Sequence, residues 1–355
     1  MRPDPHDPHR HVLFALTACQ AGAIAATWPL WQARASPPLL PALGVPALEA
    51  LDFGMLLLGT LSLIVVRPRL GLGMHVAALT VAVLADQTRL QPWAFSMPLL
   101  LAAAGPRPAL RSLGRAHLAT LWIWAGAHKL LSPAFAASAA PALLARAWPD
   151  APALLAEHGG LALPLAELMV GLLAVAPATR RGAGFAGALL HGGVALFLIA
   201  ARESPALVSW NVALALSALA LFARLENEGP EPGAPRALLC MAAMVLALAP
   251  AGFYAGLTDA YLAHVLYTGD VDRTLRCDAS GECVSDMEQR QSRHHLGVAF
   301  PPEPRLFREH FARTCRPGEL MHVTGATTVL HPPELRIATM RCPGPVHLAL
   351  TPNGS

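Results

Sequence analysis

The sequence predicts an all-α polytopic membrane bundle of about nine transmembrane helices, followed by a small C-terminal α+β domain outside the cytoplasm. Three observations carry this. The 355 residues are 54% hydrophobic and only 14% charged, with a mean hydropathy of +0.44. That is too apolar for a soluble domain and too long for a lone anchor. Apolar runs long enough to cross about 30 Å of hydrocarbon recur along the chain. Beyond residue 256 the pattern changes to short alternating segments, and four cysteines appear there.

The apolar runs fall near 11–30, 48–66, 70–87, 92–105, 114–131, 160–178, 183–201, 205–223 and 236–255. The first follows "MRPDPHDPHR", a weak n-region, and precedes "ARA", a weak cleavage site. Its length favours a retained helix over a signal peptide. The fourth is short and holds Pro92 and Pro98, which predicts a tilted or broken segment. With the N-terminus in the cytoplasm, the inside loops hold Arg2, Arg10, Arg67, Arg69, Arg107, Arg111, Arg115, Arg180, Arg181, Arg224 and Arg236. The outside loops between helices hold Arg34, Arg89, Arg146 and Arg202. Eleven against four follows the positive-inside rule and sends the tail outside. In a bacterium this means an inner-membrane protein with a periplasmic or extracellular C-terminal domain. The net charge of +3 is spread without a basic stripe, which excludes nucleic acid as a partner.

The division is therefore 1–256 for the membrane domain and 257–355 for the tail. Segment 225–236, "LENEGPEPGAPR", is a cytoplasmic loop broken by glycine and proline. Segment 136–160 is the longest outside loop, with a short interfacial helix expected around 141–147 and Trp148 at headgroup level. In the tail, "ELMHVTGATTVL", "ELRIATMRC" and "VHLAL" alternate and read as strands. "PRLFREHFARTC" reads as an amphipathic helix with Leu306, Phe307 and Phe311 on its apolar side. Cys277, Cys283, Cys315 and Cys342 lie here, where an oxidising compartment favours two disulfides. Cys277 with Cys283 and Cys315 with Cys342 is the simplest of three pairings. A zinc site of Cys283, His294, His295 and Cys315 is the alternative, though its spacing matches no finger pattern.

Ionisable groups at membrane depth are expensive, so each is a functional candidate. Asp86, Lys129, Glu167 and His191 qualify, and His75 less so, being on the cytoplasmic half of its helix. Each also has a plain structural reading. Asp86 pairs with Arg89 three residues on, Glu167 hydrogen-bonds a neighbouring helix, and His191 and His75 are satisfied core histidines. Lys129 snorkels to the interface. Lys129 is, however, the single lysine among 26 basic residues, in "LWIWAGAHKLLSPAF". A desolvated lysine can give up its proton and act as a base, whereas arginine cannot. Asp86, Lys129, His158 and Glu167 fall in the outer halves of their helices and His191 near the midplane. Trp93, Trp122, Trp124 and Phe135 share that level. An outward-opening pocket of helices 70–87, 114–131, 160–178 and 183–201 would suit a lipophilic ring compound. No metal-ligand spacing, phosphate loop or nucleophile elbow occurs within the membrane runs.

"LADQTRLQPWAFS", "WIWAGAHKLLSPAF", "EHGGLALPLAELMVGLLAV" and "GALLHGGVALFL" occur in that order. Together they resemble the membrane domain of vitamin K-dependent γ-carboxylase and its bacterial relatives, the HTTM group, itself similar to DoxX-like membrane proteins. The likeness covers about residues 10–256, and the tail from "YLAHVLYTGD" resembles the extension of bacterial relatives less closely. The resemblance implies a quinone of the menaquinone or vitamin K type as ligand. It makes Lys129 the base that deprotonates it, and Asp86 and His191 its catalytic companions. His128 replaces the lysine's neighbour. His158, Gly159 and Gly160 match a His-Gly-Gly that precedes the next helix in the family. Trp93 stands where the family has a functional histidine, and the tail is far smaller than the carboxylase's lumenal region. Quinone binding is thus better carried over than protein carboxylation. Trp93, Trp124, His128, His158, Gly159, Gly160 and Glu167 are the expected substrate-binding set. The partners expected are the bilayer, a lipophilic small molecule and an exported protein. A DoxX-type quinone-linked redox subunit and a non-catalytic scaffold or transporter are the other readings.

Overall fold

A computed structural model describes residues 8–45, 48, 50–223, 236–265, 268, 272–325, 336–342 and 347–350. Of residues 8, 153–158, 236, 336, 337 and 347–350 it describes the backbone alone. The chain is mostly helical. Among the described residues ten α-helices precede the sheet: α1 (Pro8–Ala26), α2 (Phe53–Val66), α3 (Pro68–Ala85), α4 (Pro92–Ala103), α5 (Pro108–Leu130), α6 (Ala140–Ala147), α7 (Ala153–Val175), α8 (Arg180–Ala200), α9 (Pro205–Ala218) and α10 (Arg236–Leu248). Five of these begin on a proline, which lacks an N–H where a helix has no partner for one and has its φ already set. Each apolar run of the sequence overlaps one of these helices.

Fewer of them are long enough to span. Among the described residues, Pro68–Ala85, Arg180–Ala200, Pro205–Ala223 and Ala237–Ala255 are long and apolar enough to cross a membrane. The bent pair Pro108–Leu130 and Phe135–Ala147 makes a fifth if counted as one span. α2 and α4 have 14 and 12 residues, about 21 and 18 Å at 1.5 Å per residue, short of the hydrocarbon thickness. The run at 48–66 is shortened because its helix starts only at Phe53, after Asp52, whose carboxylate accepts from the Ala33 N–H at 2.7 Å. Pro98 sits inside α4 without breaking it; brevity, not a break, distinguishes this segment.

The expected loop 136–160 is largely helical. A π-helical turn, Phe135–Ala139, leads into α6, the interfacial helix expected near 141–147, and α7 already begins at Ala153. The loop at 225–236 lies outside the described residues, except that the backbone of Arg236 opens α10.

The tail is an antiparallel five-stranded sheet of order β2-β1-β3-β4-β5, with β1 (Arg273–Cys277), β2 (Cys283–Ser285), β3 (Leu320–Thr324), β4 (Arg336–Arg341) and β5 (His347–Leu350). Two helices, α11 (Met287–Leu296) and α12 (Pro304–Thr314), accompany it. The three expected strands are β3, β4 and β5, and α12 buries Leu306, Phe307 and Phe311 as its pattern predicts. The sequence reading missed β1, β2 and α11. "RTLRC" and "MEQRQSRHHL" are too charged to show an apolar period. Cys277 is bonded to Cys283, its direct cross-strand partner, and Cys315 to Cys342. Both cysteines of the alternative zinc set are therefore disulfide sulfurs rather than thiolates.

The tail is not separate from the bundle. Leu40 packs into its core with Phe300, Phe307 and Phe311, while Leu296 and Val298 belong to the core of the bundle. The Gln91 side chain donates to the Ala299 carbonyl at 3.1 Å, and Arg305 bridges Gln87 and Asp259. His264 is buried against His117 of α5 and Phe95 of α4.

Candidate functional site

The site begins with glycines that let helices touch. A Cβ on Gly126 of α5 would come within 2.6 Å of the Pro164 carbonyl oxygen on α7. One on Gly171 of α7 would come within 2.8 Å of the Ile123 nitrogen on α5. Their absence allows backbone contact between the two helices. One turn beyond Gly126 and one turn before Gly171, that contact brings Lys129 to Glu167. The amine donates to both carboxylate oxygens, at 2.9 and 2.6 Å. Lys129 is 5% exposed and Glu167 7%. Both charges are thus removed from water and balanced by each other, the arrangement in which a buried charge is tolerated. Lys129 does not snorkel; its head is tied to α7.

Gly187 of α8 repeats the device. A Cβ there would meet the Trp122 ring at 2.7 Å, so the indole sits close against the helix backbone. One turn on, the Trp122 N–H donates to His191 Nε2 at 2.7 Å. An indole nitrogen can only donate, so Nε2 is the unprotonated nitrogen and Nδ1 carries the hydrogen. Nδ1–H then donates to Asn211 Oδ1 at 2.9 Å, and Asn211 Nδ2 donates to the Leu207 carbonyl at 2.9 Å. His191 is a neutral imidazole with both nitrogens engaged.

Lys129, Glu167, His191 and Asn211 border one cavity of about 450 Å³ between α5, α6, α7, α8 and α9. Its walls are mostly leucine, phenylalanine and valine. Lys129, Glu167, His191, Asn211 and Trp210 supply the polar side chains. α6 forms one wall with Ala140, Leu143 and Leu144. The chain reaches it through an 83° bend after α5, and no residue of α6 is buried. Gly160 of α7 would meet the Ala140 Cβ at 3.1 Å if it carried a Cβ, so α6 rests on α7 there. The far end of α6 is tied by an ion pair from Arg146 to Glu203, in the α8–α9 turn. Leu189 lines the cavity and is also 79% exposed, on a stripe of α8 with Phe185, Leu196 and Ile199. The cavity thus opens on an apolar outer face.

Of the ten residues picked from sequence, Lys129, Glu167, His191, Gly159 and Gly160 line this cavity. Gly159 and Gly160 lie inside α7 rather than before it; the side chain of His158 is outside the described residues. Asp86 does not line it. Its carboxylate accepts from Arg34 Nη2 at 2.5 Å, from Thr88 Oγ1 at 2.7 Å and from the Leu40 and Thr88 N–H groups at 3.2 and 3.1 Å. Arg89 is only a distant ion partner, 3.8 Å away, because its guanidinium donates to the carbonyls of Leu30, Ala82 and Gln32. The expected Asp86–Arg89 pair is thus present as the longer of two ion pairs, and Arg34 supplies the closer one. Trp93 is buried edge-on against Trp31, and Trp124 and His128 tie α5 to the region of α10. Trp124 donates to the Ala247 carbonyl at 2.8 Å and stacks on His128, whose Nδ1 is 2.7 Å from the Tyr254 hydroxyl. None of these three lines the cavity. His75 is satisfied between Thr60 and Gln20.

Sequence reasoning missed Trp210 and Asn211. The polar pair in "LVSWNVALAL" was the available signal for them. Gly193, one of the two glycines after His191 that could admit a flat ligand, does line the cavity. No protein-family model, curated protein or solved structure matches the chain.

Proposed function

We propose that the chain is an integral membrane protein that holds a lipophilic ring compound of the quinone class in this cavity and exchanges a proton with it through Lys129. The observation that carries this is the Lys129–Glu167 pair, buried on the wall of a mostly apolar cavity. The likeness of the "AGAHKLL", "EHGGLALPLAELM" and "GALLHGGVAL" segments to the HTTM and vitamin K-dependent carboxylase group supports it. We place the protein in that group, with nine membrane segments, a cytoplasmic N-terminus and the tail outside the inner membrane of a bacterium.

The pair offers a base without a free buried charge. Passing one proton from the ammonium to the Glu167 carboxylate leaves a neutral amine beside a neutral acid. The amine then takes the proton of a ligand hydroxyl, and the ligand oxygen becomes an anion beside the new ammonium. Proton and charge balance, and no water is needed. General-base catalysis of this kind requires hydrogen-bond reach, which residues on the cavity wall provide. Asn211 and Trp122 hold His191 in place, so its part is to shape the wall beside the base. Pairing of all four tail cysteines within the chain supports this reading over a disulfide-exchanging redox subunit.

The test is to purify the protein in lipid nanodiscs and identify bound neutral lipids by mass spectrometry. Wild type should retain a ring lipid near one per chain. Lys129→Arg should retain it and lose turnover. A wild type that carries none overturns the reading, and an arginine variant with normal turnover removes Lys129 as base.

A further inference from the structure

Hydrogen-bond accounting in the cavity is unequal. Both oxygens of Glu167 accept from Lys129. The Asn211 oxygen accepts from His191, and the unprotonated His191 nitrogen accepts from Trp122. Each acceptor on the wall is already engaged. The donors are not. Lys129 Nζ has three N–H groups and, among the described residues, Glu167 is its one partner. Trp210 lines the same cavity, is 4% exposed, and its buried indole nitrogen has no hydrogen-bond partner among the described residues. An indole nitrogen is donor only and cannot turn to accept. A buried donor left unmet is costly, and such groups in a folded chain call for a partner.

We propose that the Trp210 N–H recognises an oxygen acceptor on the ligand, so that the cavity selects lipophilic carbonyl compounds over hydrocarbons of the same shape. This rests on the reading of the cavity as a lipophilic ligand site. The two unspent donors sit on different helices, Lys129 on α5 and Trp210 on α9, so a flat ring with a carbonyl oxygen can be held from one side while the other donor stays beside the reacting end. Apolar walls supply affinity to either kind of compound, and the indole supplies the difference between them. A site built to bond an oxygen penalises the analogue that lacks it, because its own donor stays buried and unpaired.

The experiment is calorimetric binding of 1,4-naphthoquinone and of naphthalene to the full chain in nanodiscs, for wild type and Trp210→Phe. Phenylalanine keeps an aromatic ring and removes the N–H. Wild type should bind naphthoquinone about tenfold more tightly than naphthalene. Trp210→Phe should lose that preference through weaker naphthoquinone binding, with naphthalene unchanged. Equal naphthoquinone affinity in variant and wild type overturns the proposal. A parallel loss for both compounds overturns it too, since the ring would then act by packing alone. If neither compound binds wild type, the ligand-site reading itself fails and takes this one with it. Should the phenylalanine variant not fold, the indole N–H resonance of Trp210 in wild type decides. It must move downfield with naphthoquinone and stay with naphthalene.

Discussion

Gly126 lies against the carbonyl oxygen of Pro164, closer than any side chain would allow, and this contact sets the distance between Lys129 and Glu167. A methyl group at 126 must push α5 and α7 apart, because the atoms it would meet are backbone atoms and a Leu168 side-chain carbon. Gly126→Ala should therefore lower the thermal midpoint and weaken ligand retention together. Gly73→Ala, in α3 with nothing within 4 Å of its Cβ position, is the control and should be neutral or slightly stabilising. Thermal unfolding in detergent reads both.

The ion pair predicts strong non-additivity. Lys129→Met leaves a buried carboxylate alone, and Glu167→Met leaves a buried ammonium alone. Each should cost about 3–5 kcal/mol, while the double substitution should recover most of that loss. A double-mutant cycle on thermal or denaturant midpoints measures it. Additive losses would mean that the two groups do not share one proton-balanced unit.

Gly193 lines the cavity and has nothing within 4 Å of its Cβ position. Gly193→Leu should fill ligand space without straining the bundle. Expected are an unchanged unfolding midpoint and loss of the co-purifying lipid by mass spectrometry.

Burial pushes the Glu303 carboxyl up to about 7, and Asp259 adds to this; the Ala260 N–H and Arg305 oppose it. A carboxyl raised in the folded chain binds its proton more tightly there than when unfolded. Its contribution favours the fold at low pH and is lost as pH rises from about 4.5 to about 7. Glu303→Gln removes that slope. The unfolding midpoint of the variant relative to wild type should rise across this window and level off above it.

The disulfides close loops of different size. Cys315–Cys342 spans 27 residues and Cys277–Cys283 spans 6. Loop entropy gives about 3.6 kcal/mol for the first and about 2.2 kcal/mol for the second. Replacing the first pair by serine should destabilise the tail more, as read by limited proteolysis of the tail.

Much of this site was legible in the sequence because burial of charge is costly and therefore conspicuous. Lys129, Glu167 and His191 stood out as ionisable groups in apolar runs, and the structure brings all three to one cavity. Asp86 stood out for the same reason yet belongs to a cluster with Arg34, 52 residues away in sequence. Helical spacing pointed to Arg89, which does pair with it at 3.8 Å, and only the fold reveals that Arg34 comes closer while carbonyl oxygens hold the Arg89 guanidinium. Trp93 and Trp124 share a level with the cavity but face other neighbours, which depth along a helix does not determine. Trp210 carries no charge, so only its place beside Asn211 in an apolar run marked it. The tail helix α12 was readable from its period, whereas β1 and α11 take their place from the sheet around them rather than from their own pattern.

Leu189 borders the cavity and also stands on the apolar outer stripe of α8. On the proposed reading, a compound entering there would come from the acyl-chain phase, not from solution. Its effective concentration is then a mole fraction among lipids, fixed by partitioning, and a weak site saturates at total amounts that would leave an aqueous site empty. Dissociation constants for such a ligand would then acquire meaning only when stated per lipid, and adding empty vesicles should weaken apparent binding by dilution alone.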